Sequence, residues 1–226
     1  MVTKFIHQYY YLWSVALIIP LWVFIVYKKK KSRVEIIYMG ILCGTSALTL
    51  DKYCSFNDYW RPPTIFDTIN FESFLYGFFL GGISTKIYEL LFNKEYIAQK
   101  SPNSLFVLTI MFGSVFLYVI FLGLFSLNSV LIYIGILLIW IILFLLINRR
   151  LYRLCICSGI IMIGLNMCWY AVMLAIYPSA IQDIWLTDNL SGLLIFNVPI
   201  EEHYYIFSFG CVISIMYKVL TKTVIK

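Results

Sequence analysis

Apolar residues in this chain come in long unbroken runs rather than in the two- or three-to-four-residue spacing of elements that face water on one side. Runs long enough to cross a bilayer occur at 9–27, 34–50, 70–92, 104–125, 128–147, 152–177 and 196–218. In lipid, a lone segment satisfies its backbone polar groups only as a helix. The pattern therefore predicts about seven transmembrane helices, with the third and seventh the least uniformly apolar. Polar breaks fall at 28–33, 51–69, 93–103, a tight turn at Ser126-Leu127-Asn128, 148–151 and 178–195. The first run exceeds a signal-peptide core and no A-x-A site follows it, so it reads as an anchor that is retained.

Composition narrows the class. Of 226 residues, 62% are apolar and only 12% charged, with a mean hydropathy of +0.88. A soluble domain is about half apolar and a quarter charged, so the lipid bilayer is the expected surroundings. A cytosolic enzyme, a disulfide-stapled secreted domain and a nucleic-acid binder are excluded. Six cysteines lie mostly within apolar runs, without a C-x-x-C or a nearby histidine. They read as small hydrophobes, and no metal or cofactor is expected. The net charge of +6 is scattered over loops. Lys28, Lys29, Lys30, Lys31, Arg33, Lys94, Lys100, Arg149, Arg150, Arg153, Lys218, Lys222 and Lys226 share one side, against Lys4, Lys52 and Arg61 on the other. The positive-inside rule then places the N-terminus outside and the C-terminus inside, in the plasma membrane.

Both longer loops, 51–69 and 178–195, fall outside and carry Asp51, Asp58, Asp67, Asp183 and Asp188. Their aromatics Tyr59, Trp60 and Trp185 suit a headgroup belt. The loops also belong to an internal repeat. Ile37-Tyr38-Met39-Gly40 aligns with Ile161-Met162-Ile163-Gly164, and Asp58-Tyr59-Trp60 with Asp183-Ile184-Trp185. Phe71-Glu72-Ser73-Phe74-Leu75-Tyr76 aligns with Ile200-Glu201-Glu202-His203-Tyr204-Tyr205, and Gly81 falls on Gly210. The expected organisation is one all-α membrane-integral domain, 1–226. It comprises repeat unit A at 9–92, a linker helix at 104–125 and repeat unit B at 128–220. An odd helix between the units makes the repeat parallel.

Three acids stand at two equivalent helix mouths. Asn197-Val198-Pro199-Ile200-Glu201-Glu202 reads as a helix start, with Pro199 in the first turn and Asn197 able to cap. Acids there complement the helix dipole, and that alone is a sufficient reason for them. In a membrane chain with so few acids, Glu72, Glu201 and Glu202 are also functional candidates. A carboxyl withdrawn from water favours its neutral form, and a neutral acid facing a lipid-filled cavity is a proton donor for an apolar substrate. Tyr76, Tyr204 and Tyr205 lie near them at helical spacing, where aromatic faces stabilise a cation by about 0.5–2 kcal/mol. His203 is placed either to remove a proton or to hydrogen-bond a carboxylate. Asp51 either faces the same cavity or sits in an exposed loop. Lys86, fourteen residues beyond Glu72 and roughly 21 Å deeper, is expected to reach inward near Glu89.

The Pro199-Ile200-Glu201-Glu202 segment, preceded by Gly192-Leu193-Leu194-Ile195-Phe196 and followed by Tyr204-Tyr205-Ile206-Phe207, resembles the membrane-integral lycopene cyclase domain of the heterodimeric and fused type. Tyr59-Trp60-Arg61-Pro62-Pro63 with Phe71-Glu72-Ser73-Phe74-Leu75-Tyr76-Gly77-Phe78 looks like the same unit. It departs from the pattern with Asn70 in place of Pro199 and Ser73 in place of Glu202. The resemblance implies a redox-neutral isomerase acting on an acyclic carotenoid. An acid protonates the terminal double bond, the cation closes a six-membered ring, and a base removes a proton. Glu201, Glu202 and Glu72 would carry the chemistry, and His203, Tyr205, Tyr204, Tyr76 and Pro199 would line the substrate. The alternatives are a small 3+1+3 transporter, whose flexible helices Gly81, Gly82 and Gly210 would mark, and a non-catalytic carotenoid-binding subunit. Homo- or hetero-oligomerisation in the membrane stays open.

Overall fold

The computed structural model describes residues 7–65, 70–125 and 127–225. Asp67 of the first outer loop, Ser126 of the tight turn, and Lys4 and Lys226 lie outside the described residues. The chain is about 80% helical. Its long helices are α1 (Tyr10–Lys28), α2 (Arg33–Leu50), α3 (Phe71–Leu91), α4 (Ser104–Phe125), α5 (Ser129–Ile147), α6 (Tyr152–Ile176) and α7 (Ile200–Leu220). Six of the described helices are long and apolar enough to cross a membrane, and α3 is not among them. The difference from the expected seven lies in the polar groups of α3, which include Glu72, Lys86 and Glu89. The fold is all-α as expected, and among the described residues four two-residue strands pair in the loops. Tyr96–Ile97 (β1) joins Val224–Ile225 (β4), and Leu194–Ile195 (β2) joins Val198–Pro199 (β3). They satisfy backbone groups that no helix takes up.

The centre of the bundle is made by α3 and α7. Helix α3 packs against α1 and α2, α7 against α5 and α6, and the two central helices meet each other, while α4 touches α5 at the periphery. From Gly210 to Thr221 every residue is buried. Lipid gives apolar side chains no reason to cluster, so close approach of helices must come from small residues that admit good packing. Helices α2 and α3 meet in this way through Gly40, Gly44, Gly77 and Gly81. A Cβ on Gly77 would lie 2.7 Å from the Cys43 carbonyl oxygen, and one on Gly81 would lie 2.7 Å from Cys43 Sγ. Gly210 meets Met162 and Gly159 meets Phe207 between α6 and α7. Gly81 and Gly210 are thus contact surfaces rather than hinges.

At the end of the bundle away from the two long loops, four buried charges close a ring. Lys86 Nζ lies 2.6 Å from Glu35 and 2.7 Å from Glu89, and Lys218 Nζ lies 2.7 Å from Glu35 and 2.9 Å from Glu89. Lys86 meets Glu89 as expected, but inside the protein rather than snorkelling, because Glu35 and Lys218 complete a group with no net charge. The ring ties α2, α3 and α7 together at one level.

Candidate active site

At the outer end the two long loops lean on each other. Trp60 and Trp185 form an isolated antiparallel bridge, flanked by Arg61 N–H donating to the Ile184 carbonyl at 2.7 Å and Leu186 N–H donating to the Tyr59 carbonyl at 2.9 Å. Tyr59 and Trp185 are buried, so two aromatics expected in the headgroup belt line the protein interior instead. The reason is chemical. Buried Tyr and Trp need a partner for O–H and N–H, and both find Glu202. The Tyr59 hydroxyl donates to Glu202 Oε1, and Trp185 Nε1 donates to the same oxygen at 2.9 Å. Burial, reinforced by the negative charge of Glu202, pushes the Tyr59 phenol far up, so it remains a donor throughout the physiological range.

Glu201 and Glu72 have a different and mutually similar setting. Glu201 Oε1 accepts the Ser191 N–H at 2.7 Å, and Glu72 Oε1 accepts the Ile65 N–H at 2.7 Å. Both are buried, and in each the second carboxyl oxygen has no partner among the described residues. Each glutamate thus holds the loop that precedes its own helix. His203 Nε2 lies 3.4 Å from the Ile195 carbonyl, on the β2–β3 hairpin rather than on a glutamate. Pro199 belongs to the same hairpin and immediately precedes α7. Tyr204 is 57% exposed and points away from the bundle. Tyr76 packs beside Tyr11, with ring centres 6.1 Å apart, and beside Trp169 at 6.2 Å, while Tyr205 packs beside Phe209 at 6.1 Å.

Asp51 closes the far wall. Helix α2 ends in one turn of π-helix, Asp51–Ser55, a local underwinding that recurs at functional sites. Asp51 Oδ2 accepts the Tyr11 hydroxyl at 3.1 Å, and that hydroxyl is 3.0 Å from Ser73 Oγ. Tyr11 packs edge-on against Trp60, with ring centres 5.0 Å apart, and Trp60 against Trp185 at 5.6 Å. A continuous aromatic wall therefore runs from Asp51 to Glu202, joined by Tyr170 beside Trp185 at 5.9 Å. The remaining outer acids with described contacts act as loop staples. Asp58 accepts the Ser129 N–H at 2.7 Å and the Ser129 hydroxyl at 2.5 Å, at the start of α5. Asp183 is bonded by the hydroxyls of Tyr177 and Ser179, which hold its carboxyl below the usual range.

Below this chamber lies an apolar cavity of about 230 Å³ between α1, α3, α6 and α7, lined by Leu17, Tyr76, Leu80, Leu165, Trp169 and Ile206 among others. Tyr76 belongs to both spaces. A larger hollow of about 360 Å³ between α4 and α5, lined by Phe106 and Trp140, carries no acid or base. Sequence reading missed Tyr11, Tyr59, Tyr170 and Trp185 as site residues. The signal available was the duplicated Asp-x-Trp of the two outer loops.

Six described helices long and apolar enough to cross a membrane make this an integral membrane protein, with a half-buried carboxyl in an aromatic chamber above an apolar cavity. Residues 128–220, which span α5 to α7, match a family model described as lycopene cyclase. The match contains Glu201, Glu202 and the second outer loop. No curated protein and no solved structure matches the chain.

Proposed function

We propose that the protein is a lycopene cyclase-like intramembrane isomerase, which closes the end group of an acyclic carotenoid by proton transfer without redox change or cofactor. The observation that carries this reading is the setting of Glu202. Tyr59 and Trp185 both donate to Oε1, and in this reading Oε2 carries the proton. Glu202 protonates the terminal double bond, and the neighbouring double bond attacks the resulting cation to close the ring. The walls supplied by Tyr76, Tyr205 and Trp185 stabilise that cation by about 0.5–2 kcal/mol per favourable ring face. Loss of a ring proton to a base completes an isomerisation in which no atom is gained or lost.

Size supports this substrate class. Pockets for a whole drug-sized ligand run about 300–1,000 Å³, so a cavity of about 230 Å³ suits one end of a long polyene while the remainder stays in lipid. In this reading Glu201 and Glu72 seal the outer loops over the reaction, His203 and Pro199 stiffen the hairpin, and Tyr204 meets lipid. Helix α3 makes the seventh crossing, with its inner charges neutralised in the four-residue ring. The two three-helix units are related as a parallel repeat, with the N-terminus outside the plasma membrane and the C-terminus inside.

The test is conversion of lycopene in cells that accumulate it. The wild type is expected to form ring-bearing products, and Glu202→Gln to lose about 10²–10⁴-fold of that conversion with membrane insertion unchanged. A well-inserted wild type that leaves lycopene acyclic would sink the reading.

A further inference from the structure

The reaction above needs a second group to take the proton that ring closure releases. We propose that Asp51 is that base, and that it replaces the acid missing at Ser73. The inference rests on the cyclase reading and deepens it.

Three observations carry it. First, Ser73 stands where Glu202 stands in the other unit, and the two helices place these residues at the same kind of mouth. The neighbouring residues Glu72 and Glu201 each take up a loop N–H through Oε1. Ser73 is wholly buried, and the Tyr11 hydroxyl bridges it to Asp51 Oδ2. The Asp51 carboxyl therefore reaches within one hydroxyl of the place an acid on residue 73 would fill.

Second, the helix contacts register the two units differently from the sequence alignment. Phe78 covers Gly40 as Phe207 covers Gly159, and Cys43 meets Gly81 as Met162 meets Gly210. In that register Gly159 takes the place of Gly40 and Met162 that of Cys43, so Tyr170 takes the place of Asp51. One unit thus has its acid on the second helix and a hydroxyl on the third, Asp51 and Ser73. The other has a hydroxyl on the second helix and its acid on the third, Tyr170 and Glu202. Acid and hydroxyl have exchanged helices, and each unit still supplies one of each.

Third, both carboxyls stand on one aromatic wall. The Tyr11 that bonds Asp51 packs on Trp60, and Trp60 packs on the Trp185 that bonds Glu202. The cation formed against that wall has Glu202 on the side that delivered the proton and Asp51 on the opposite unit. In the final step a ring C–H bond breaks, its electron pair forms the new double bond, and the proton passes to an Asp51 oxygen. Water at the outer mouth then returns Asp51 and Glu202 to their starting protonation.

Purified protein in liposomes loaded with lycopene and held in heavy water separates the two roles. Asp51→Asn is expected to lose about 10²–10⁴-fold of ring formation, yet the acyclic lycopene recovered from it should carry deuterium at its ends. Glu202 still protonates the chain in that variant, and the cation collapses backwards. Lycopene recovered from Glu202→Gln should carry none. Ser73→Glu added to Asp51→Asn should restore ring formation at least tenfold over Asp51→Asn, since it returns a carboxyl to the same spot. If that crowded variant does not insert, the deuterium result decides alone. Wild-type turnover in Asp51→Asn, or an inactive Asp51→Asn whose lycopene is unlabelled, would overturn the assignment while leaving Glu202 as the acid. A wild type that forms no ring overturns both.

Discussion

Adjacent residues on a helix diverge by about 100°, and that angle separates the fates of Glu201 and Glu202. Glu201 turns to the loop and accepts the Ser191 N–H, while Glu202 turns to Tyr59 and Trp185. An amide oxygen can do what Glu201 Oε1 does, whereas it cannot carry the proton assigned to Glu202. Glu201→Gln is therefore expected to keep activity within about tenfold of the wild type. It trades a charge-assisted hydrogen bond for a neutral one, a difference of about 1 kcal/mol. Parallel conversion assays with Glu202→Gln check this, and equal loss in both would show that the pair acts as one unit. That Glu201 and Glu202 open a helix beside aromatics was legible in the sequence. Which of the two turned to the aromatic chamber was not, because both periodicity and composition treat positions 201 and 202 alike.

Among elements, α2 and α3 depend most on small residues. The Gly40/Gly44 and Gly77/Gly81 pairs, each spaced by one turn, let the two backbones approach until a single added carbon would overlap. Gly77→Leu is expected to destabilise the protein by about 1–3 kcal/mol as an overpacked contact. Thermal loss of helical circular dichroism in detergent measures it. A substitution of Gly164 or Gly123, around which a Cβ would meet nothing within 4 Å, should cost far less. The apolar runs predicted the helices themselves to within a residue or two in most cases. They were silent on which glycines were contacts, since identity alone does not say which face a neighbour covers.

Across the whole molecule, the inner ring of Glu35, Lys86, Glu89 and Lys218 and the outer loop bridge hold the two ends of the central helices. Removing one member of a buried ion network leaves an uncompensated charge, which costs about 3–5 kcal/mol. Lys86→Met is expected to fall in that range. Lys86→Met combined with Glu89→Leu, which leaves Glu35 and Lys218 as a neutral pair, should recover most of the loss. Thermal unfolding of the three proteins side by side measures both. A ring that fastens α2 and α3 to α7 also opposes the rocking that a transporter needs.

Hydrophobic runs longer than a bilayer is thick can be buried in nothing but lipid, so the sequence alone determined an all-helical membrane protein. The same letters carried a duplicated acid-and-aromatic motif and a likeness to the lycopene cyclases. What tertiary structure decided was convergence. Asp51 and Glu202, far apart in the chain and unlike in local context, stand at the two ends of one aromatic wall of Tyr11, Trp60 and Trp185 because α3 and α7 pack at the centre and the two long loops fold over them. Electrostatic partnership falls off with distance in space and not along the chain. The pairing of Lys86 with Glu35 and the Tyr11 bridge between Asp51 and Ser73 therefore emerged only once the helices were in place.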